Sequence, residues 1–400
     1  MSLMSDKNFK MKMRDVETAF KYRRFPYPKR SVELIALLAI SCTFFLFMHT
    51  NKLNSRLKEM EMKLQPSEFS ALGLTGSNHL DGPKPEDINT LHGTYQYLKS
   101  TGQLYTLDAK SLNNTGIAGQ ECLLFNRIEK VGSQSLMTLL RDLAEVNNFT
   151  PYVNDDAAPN YLLLTEQEER DIAEEISAVA GPMSYVEHLN WINFTKYDLP
   201  KPIYVNMIRH PIQKVISGYY YMRHPAVFGF YVKTFGRKIE NREWFETTFN
   251  DCVKQAKIPD CIFDPHNDYN KDWRRFSLHL CGSHPDCKNF NSPTATQIAK
   301  QNIEREYAVV GSWEDTNITL TVLEHYIPRF FRGATEMFYS DTTGKFKKNS
   351  TPHNTDLEPE VEAKLKIQFS YEIELYNFCK QRLYKQYIAI KKEELMEKFN

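Results

Sequence analysis

The sequence predicts an α/β domain, an open and mostly parallel sheet flanked by helices, preceded by one membrane-spanning helix and a stem. Short apolar segments near 122–126, 183–188, 203–208 and 307–311 alternate with helical stretches, which is the pattern of a parallel sheet. Residues 34–51 carry no charge, so they can cross a bilayer. The 400 residues, 42% of them hydrophobic, can bury one large core.

The N-terminal residues predict a topology. Residues 1–30 hold nine Lys or Arg against three Asp or Glu, and the positive-inside rule places such a tail in the cytosol. Residues 31–50 then form a signal anchor, and the rest of the chain lies in the lumen. A cleaved signal peptide is the alternative, but thirty residues precede the apolar run and no small-x-small site follows Met48.

Between the anchor and the domain, residues 51–118 are predicted to form a stem and linker. Apolar residues within 51–65 suit a solvated stem helix or a short coiled coil, and 66–88 are polar without periodicity. Residues 119–400 form the lumenal domain. Removing the tail's nine basic and three acidic residues from fifty of each leaves 41 and 47, so an anionic ligand needs a local basic groove and nucleic acid is not expected as a partner.

The segment 125–135 predicts one half of a phosphate site. It follows the first apolar strand and precedes leucines spaced along one helix face. A loop of Gly and Ser that leads into a helix presents backbone N–H groups and the positive end of the helix dipole, and Lys130 adds a full charge. An ordinary capped turn is the alternative. The pattern G-x-x-x-x-G-K-[ST] is absent, so this is not a Walker loop.

The strand near 203–208 supplies the second half. Arg209 follows its end and can bind a phosphate in bidentate fashion, and Ser217 lies eight residues further on. Neither half is specific by itself. Their order along the chain predicts two parts of one nucleotide site.

This ordered pair resembles the sulfotransferases that use 3′-phosphoadenosine 5′-phosphosulfate, and among them the heparan sulfate and uronyl 2-O-sulfotransferases. Segments 307–311 and 327–336 are also similar to that family, and the resemblance runs from about Cys122 to about Tyr387. It implies a P-loop-like fold, this nucleotide as co-substrate without a metal, a glycan acceptor, and a single-pass type II protein of the Golgi membrane. Whether the chain forms a homo-oligomer stays open.

The resemblance also implies roles for individual residues. His188 falls at the family's catalytic base, Lys130 at the group that stabilises the leaving phosphate, and Arg127 at a contact to an acceptor carboxylate or sulfate. A structural histidine is the alternative for His188. The implied nucleotide-binding residues are Lys130, Val131, Gly132, Ser133, Gln134, Ser135, Arg209, Ser217, Lys347 and Ser350.

Two departures from the family pattern leave a second function open. Glu129 stands where relatives carry Pro or Gly, and a carboxylate beside a phosphate loop is unfavourable unless it turns outward. His210 replaces the usual Asp. A non-catalytic lumenal protein that binds a glycan or nucleotide is therefore the alternative to an enzyme. A nucleotide-dependent phosphotransferase should show a Walker lysine and an acidic metal ligand, and neither is in place.

Six cysteines follow the predicted span, an even number that suits an oxidising lumen. Close spacing favours Cys252 with Cys261 and Cys281 with Cys287, and the family resemblance implies the same pairs. Zinc is the rival interpretation, but intervals of nine, twenty and six residues fit no common finger. The sequence leaves Cys122 either as a buried thiol or paired with Cys379.

Asn-x-Ser/Thr triplets predict glycans on exposed lumenal asparagines. The candidates are Asn113, Asn148, Asn193 and Asn317. A fifth triplet, at Asn349, lies in a basic stretch that resembles the family's loop over the nucleotide. We expect it to stay bare, because a glycan there would obstruct the site.

Overall fold

The structure is a computed structural model. It describes residues 89–154, 164–179, 181–238, 240–263, 274, 276–347 and 356–399. These residues belong to one compact unit. The predicted tail, anchor and most of the stem, residues 1–88, lie outside the described ranges. No helix within those ranges is both long and apolar enough to cross a membrane.

Five parallel strands form one sheet, in the order β2-β3-β1-β4-β5. Their bounds are β1 Cys122–Asn126, β2 Thr150–Val153, β3 Met183–Glu187, β4 Ile203–Ile208 and β5 Tyr307–Ser312. The prediction of an open parallel sheet is confirmed, with four of its strands at the predicted positions. Every residue of β1, β3, β4 and β5 is buried, as expected for a sheet covered by helices on both faces.

The strand order creates a crevice between β1 and β4. From β1 the chain continues to β2 at one edge of the sheet, whereas from β4 it continues to β5 at the opposite edge. Open α/β sheets bind ligands at such a switch point, outside the carboxyl ends of the strands. The segments that follow β1 and β4 are the two that the sequence marks as phosphate-binding.

The edge strand β2 was not predicted. Pro151 cannot donate to a strand ladder, so it is tolerated only at an edge, and its neighbours Thr150 and Tyr152 are exposed. The apolar pattern of a buried strand is therefore missing from the sequence. In the structure the Tyr152 ring stacks on Tyr185 of β3, with centroids 4.8 Å apart.

The described ranges contain fifteen α-helices. They are α1 Leu91–Ser100, α2 Gln103–Thr106, α3 Ser133–Asn147, α4 Glu166–Ala178, α5 Pro211–Arg223, α6 Pro225–Phe235, α7 Arg242–Glu246, α8 Phe249–Gln255, α9 Ser277–Cys281, α10 Pro293–Arg305, α11 Thr316–Tyr326, α12 Pro328–Phe331, α13 Ala334–Ser340, α14 Pro359–Gln368 and α15 Ser370–Phe399. The leucine stripe of α3 is buried, at Leu136, Leu139, Leu140 and Leu143.

The long helix α15 ties the ends of the described chain together. It packs against α10, α11 and β5, and also against α1. Helix α1 lies within the range assigned to stem and linker, and it buries Tyr95 and Leu98. The boundary of the lumenal domain at residue 119 stays a prediction, although the folded unit includes α1.

Two disulfides lie beside the sheet. They join Cys252 to Cys261 and Cys281 to Cys287, the pairs that close spacing favours, with Cα atoms 5.8 Å apart in each. The first pair belongs to an apolar cluster that packs α5 against α8 and α14. The second joins the last residue of α9 to Cys287 in the segment that follows. Cys122 on β1 and Cys379 on α15 are both buried free thiols.

Candidate active site

The loop between β1 and α3 has the backbone shape of an anion cradle. Lys130 and Gly132 adopt positive φ angles of 63° and 82°. The Ser133 hydroxyl donates to the Ile128 carbonyl at 2.6 Å, which closes the loop on itself. No side chain caps the first turn of α3, so the positive end of that helix is left for a ligand.

Gly132 is required by both its backbone angle and its surroundings. A Cβ atom at this position would lie 2.0 Å from the Trp313 ring. The Trp313 N–H donates to the Ile208 carbonyl at 2.9 Å, so the tryptophan joins the end of β5 to the end of β4. The Trp313 ring therefore packs against Gly132 of the loop, a role that nothing in the sequence indicated.

Arg209 meets the loop across the crevice. Its Nη1 atom lies 3.5 Å from the Lys130 carbonyl oxygen. Burial lowers the pKa of Arg209, while nearby Glu314 opposes that shift. Ser217 is buried on the following helix α5. The two predicted halves of the phosphate site are thus next to each other in the fold.

Three cations gather at the loop. Burial, and then repulsion from Arg209 and Lys214, lower the pKa of Lys130 to about 8. Its Nζ atom lies 3.9 Å from the centre of the Tyr221 ring. Lys214 is fully buried on α5, and no sequence pattern singles it out, because lysines on helices are mostly exposed. Like charges held this close favour an anionic ligand.

The basic stretch after α13 also reaches the loop. The Ser135 hydroxyl donates to the Phe346 carbonyl at 2.5 Å, and Phe346 itself is buried. Lys347 follows directly in the same short 3-10 helix. Ser350, the other residue assigned here, lies outside the described ranges. Val131 is buried and Gln134 half-buried at the start of α3.

His188 follows β3 and is held by a backbone oxygen. Its Nδ1 atom lies 2.9 Å from the Arg127 carbonyl. A carbonyl can only accept, so Nδ1 carries the hydrogen and the neutral ring keeps its lone pair on Nε2. Burial lowers the pKa of His188, and the nearby Glu129 carboxylate opposes that shift. The side chain is 28% exposed, so a substrate hydroxyl can reach it.

Glu129 turns toward two histidines. Its carboxylate lies 3.7 Å from His188 Nδ1 and 3.3 Å from His279 Nε2. Burial alone would raise the pKa of Glu129, but His188, His279 and Lys214 together lower it well below its usual range. The carboxylate is therefore charged and is placed beside the predicted base. Sequence reasoning missed His279, which lies on α9 and meets Glu129 only through the tertiary fold.

Arg127 lies at the start of the loop. It is half-buried, and its Nη1 atom contacts the sulfur of Met137 at 3.2 Å.

The glycosylation candidates differ in exposure. Asn148, Asn193 and Asn317 are exposed, whereas Asn113 is half-buried and caps a short turn by accepting from the Thr115 N–H. The described residues contain no cluster of three or more metal-ligating side chains.

The fold and this site define a class of protein. The chain matches the sulfotransferase family over residues 113–379, more than half of its length, and therefore belongs to that family. The resemblance drawn from the two phosphate-binding segments is confirmed.

The chain is similar to several individual sulfotransferases along much of its length. The chain is 41% identical to the Drosophila melanogaster uronyl 2-sulfotransferase homolog pip, over 98% of this chain and 95% of that protein. It is 26% identical to human uronyl 2-sulfotransferase, over 66% of this chain and 62% of the human protein. It is 28% identical to Xenopus laevis heparan sulfate 2-O-sulfotransferase 1, over 64% of this chain and 69% of that protein.

Proposed function

We propose that this protein is a type II membrane sulfotransferase of the Golgi. It transfers a sulfuryl group from 3′-phosphoadenosine 5′-phosphosulfate to the 2-hydroxyl of a uronic acid in a glycosaminoglycan or a glycoprotein glycan. The observation that carries the proposal is the position of His188. Its ring is held by the Arg127 carbonyl, and Arg127 begins the loop that also holds Lys130.

The donor suits the cation-lined crevice. Phosphates and a sulfuryl group are the anionic groups that an open helix N-terminus, Lys130 and Arg209 would bind. Lys130 would also stabilise the charge that grows on the bridging phosphate oxygen as the bond to sulfur breaks. We assign the backbone of 130–135, Arg209, Ser217, Lys347 and Ser350 to nucleotide binding.

His188 supplies the base in this scheme. The acceptor hydroxyl gives its proton to His188 Nε2 while its oxygen bonds to sulfur, and the bond from sulfur to the phosphate oxygen breaks. Adenosine 3′,5′-bisphosphate leaves, and the imidazolium later releases its proton to water. A general base is needed because a sugar hydroxyl is too weak an acid to ionise at neutral pH. Arg127 would orient the acceptor's carboxylate.

The alternative is a lumenal protein that binds a nucleotide or glycan without turnover. Glu129 was the main reason to consider it. The carboxylate contacts His188 and His279, at 3.7 and 3.3 Å, so it faces basic side chains instead of facing a phosphate alone. This arrangement favours the enzyme.

Transfer of labelled sulfate tests the proposal. Full-length protein in detergent is incubated with the labelled donor and a panel of desulfated glycosaminoglycans and glycoprotein glycans, and the products are digested to locate the label. We expect label on the 2-position of uronic acid. Donor binding without transfer to any acceptor would support the non-catalytic alternative, and label on another sugar would refute the assigned acceptor.

Protease protection tests the topology. In sealed microsomes, an external protease should remove residues 1–30 and leave the C-terminal domain intact, because the basic tail faces the cytosol. Digestion of the domain with a protected tail would overturn the anchor and, with it, the Golgi lumenal location.

A further inference from the structure

We infer that Glu129 is a positioning residue for catalysis: its carboxylate, which lies between His279 and His188, orients the His188 ring and stabilises the imidazolium that forms when His188 takes a proton. The inference rests on the proposed role of His188 as base. It concerns a residue that the sequence marked only as a departure from the family pattern.

The geometry places one carboxylate between two imidazoles. One oxygen, Oε1, lies 3.7 Å from His188 Nδ1, and the other, Oε2, lies 3.3 Å from His279 Nε2. The same His188 Nδ1 donates its hydrogen to the Arg127 carbonyl at 2.9 Å, and the Glu129 carboxylate is a charged neighbour of that N–H group. The lone pair on Nε2 is thereby kept away from Glu129 and left for the substrate.

His279 lies against the other oxygen of the carboxylate. The His279 side chain is 1% exposed, and its Nδ1 atom lies 3.0 Å from the Leu189 carbonyl. That carbonyl oxygen belongs to the residue directly after His188. The two histidine rings are therefore held by backbone carbonyls of the segments that carry Glu129 and His188.

The surrounding charges explain why a carboxylate is useful here. Arg127 and His279 interact electrostatically with His188, and both interactions oppose its protonation. Two other groups interact electrostatically with Glu129. They are Lys214 on α5, whose positive charge stabilises the carboxylate, and Tyr231 on α6. Without Glu129, a new imidazolium at His188 would form among basic groups. A nearby opposite charge lowers the energy of the protonated state that proton transfer creates.

The substitution Glu129→Gln removes the charge and keeps the shape. We expect the turnover rate on the plateau of the pH profile to fall about tenfold to a hundredfold, which is less than the fall expected when the base itself is removed. The acid limb of the profile of kcat/KM against pH should move to lower pH by about one unit, because loss of a neighbouring carboxylate lowers the pKa of His188. The affinity for adenosine 3′,5′-bisphosphate should not change.

Two further variants separate charge from folding. Glu129→Asp keeps the charge, so its acid limb should stay close to that of the wild-type protein even if its rate falls. Glu121→Gln is the matched control, since Glu121 is an exposed carboxylate just before β1, and it should change neither rate nor profile. An equal shift in Glu129→Asp and Glu129→Gln, or no shift and no loss of rate in Glu129→Gln, would overturn the inference.

A second measurement does not need turnover. Diethylpyrocarbonate modifies neutral imidazole, so peptide mapping of His188 modification against pH reports its protonation directly. The midpoint should move to lower pH in Glu129→Gln by the same amount as the kinetic limb. If His188→Ala keeps full turnover while this midpoint shifts, the proposed base is wrong and the contact is real. If His188→Ala abolishes turnover and the midpoint does not move, Glu129 has no positioning role.

Discussion

The two halves of the proposed site differ in charge and in construction. The proposed donor half consists of the loop after β1 and Arg209 after β4, with Lys130, Arg209 and Lys214 as a cluster of cations. The proposed acceptor half, beside the end of β3, pairs histidines with the Glu129 carboxylate. A uniformly positive surface is suited to hold a polyanion, whereas paired acid and base are suited to move a proton. Binding and chemistry should therefore be separable by mutation.

The largest expected effect falls on the acceptor half. His188→Ala should lower turnover about a hundredfold to ten-thousandfold, because a positioned base is lost. The exposed His224 on the same protein offers a control, and His224→Ala should keep its activity. Turnover is measured per folded molecule by normalising to nucleotide-binding capacity. Loss of soluble yield with intact specific activity would instead make His188 structural.

The donor half should respond in affinity. Lys130→Ala and Arg209→Ala each remove a charge-assisted phosphate contact, worth roughly 1.5 to 3 kcal/mol, so each should weaken binding of adenosine 3′,5′-bisphosphate about tenfold to a hundredfold. Titration calorimetry measures the change. Unchanged affinity in both variants would remove these residues from the nucleotide site.

The loop itself should be sensitive to a single methyl group. Gly132→Ala forces a left-handed backbone on a residue with a Cβ and drives that atom to 2.0 Å from the Trp313 ring. The expected loss of stability is about 2 kcal/mol or more, with weaker nucleotide binding. Gly229→Ala is the control, because a Cβ there meets nothing within 4 Å. Equal melting temperatures for the two variants would contradict the packing described here.

The smallest effect is a pH dependence of donor binding. The pKa of Lys130 is lowered to about 8 in the free protein, and a bound phosphate should raise it. Affinity is then full below about pH 7 and falls as the pH rises through about 8, by at most about tenfold per unit. Lys130→Arg keeps its charge and should give a flat profile over the same range. A flat profile in the wild-type protein would show that Lys130 is charged throughout.

The two halves also differ in how far the sequence predicts them. The donor loop is contiguous, and Arg209 follows a buried strand, so the rule that parallel strands end at one edge brings them together. The acceptor half depends on Glu129 and His279, which are remote in sequence. Their contact requires the course of the chain around α9, and no local pattern encodes that course.

Burial explains why other features of the structure were not predicted from the sequence. Lys214 lies on a helix, where sequence patterns assign lysine to solvent, and only the packing of α5 against the sheet buries it. Strand β2 was missed because Pro151 and its exposed neighbours lack the apolar pattern of an inner strand. The buried strands and the leucine stripe of α3 were predictable, since burial on two faces or along one helix face leaves a periodic signal.

The most direct test of the separation between binding and chemistry is a crossed measurement on full-length His188→Ala and Arg209→Ala. Both the affinity for adenosine 3′,5′-bisphosphate and the transfer of labelled sulfate are measured in the same preparations. The account predicts that His188→Ala keeps wild-type affinity and loses transfer, whereas Arg209→Ala loses affinity about tenfold or more. Equal loss of affinity in the two variants, or near wild-type transfer by His188→Ala, would contradict it.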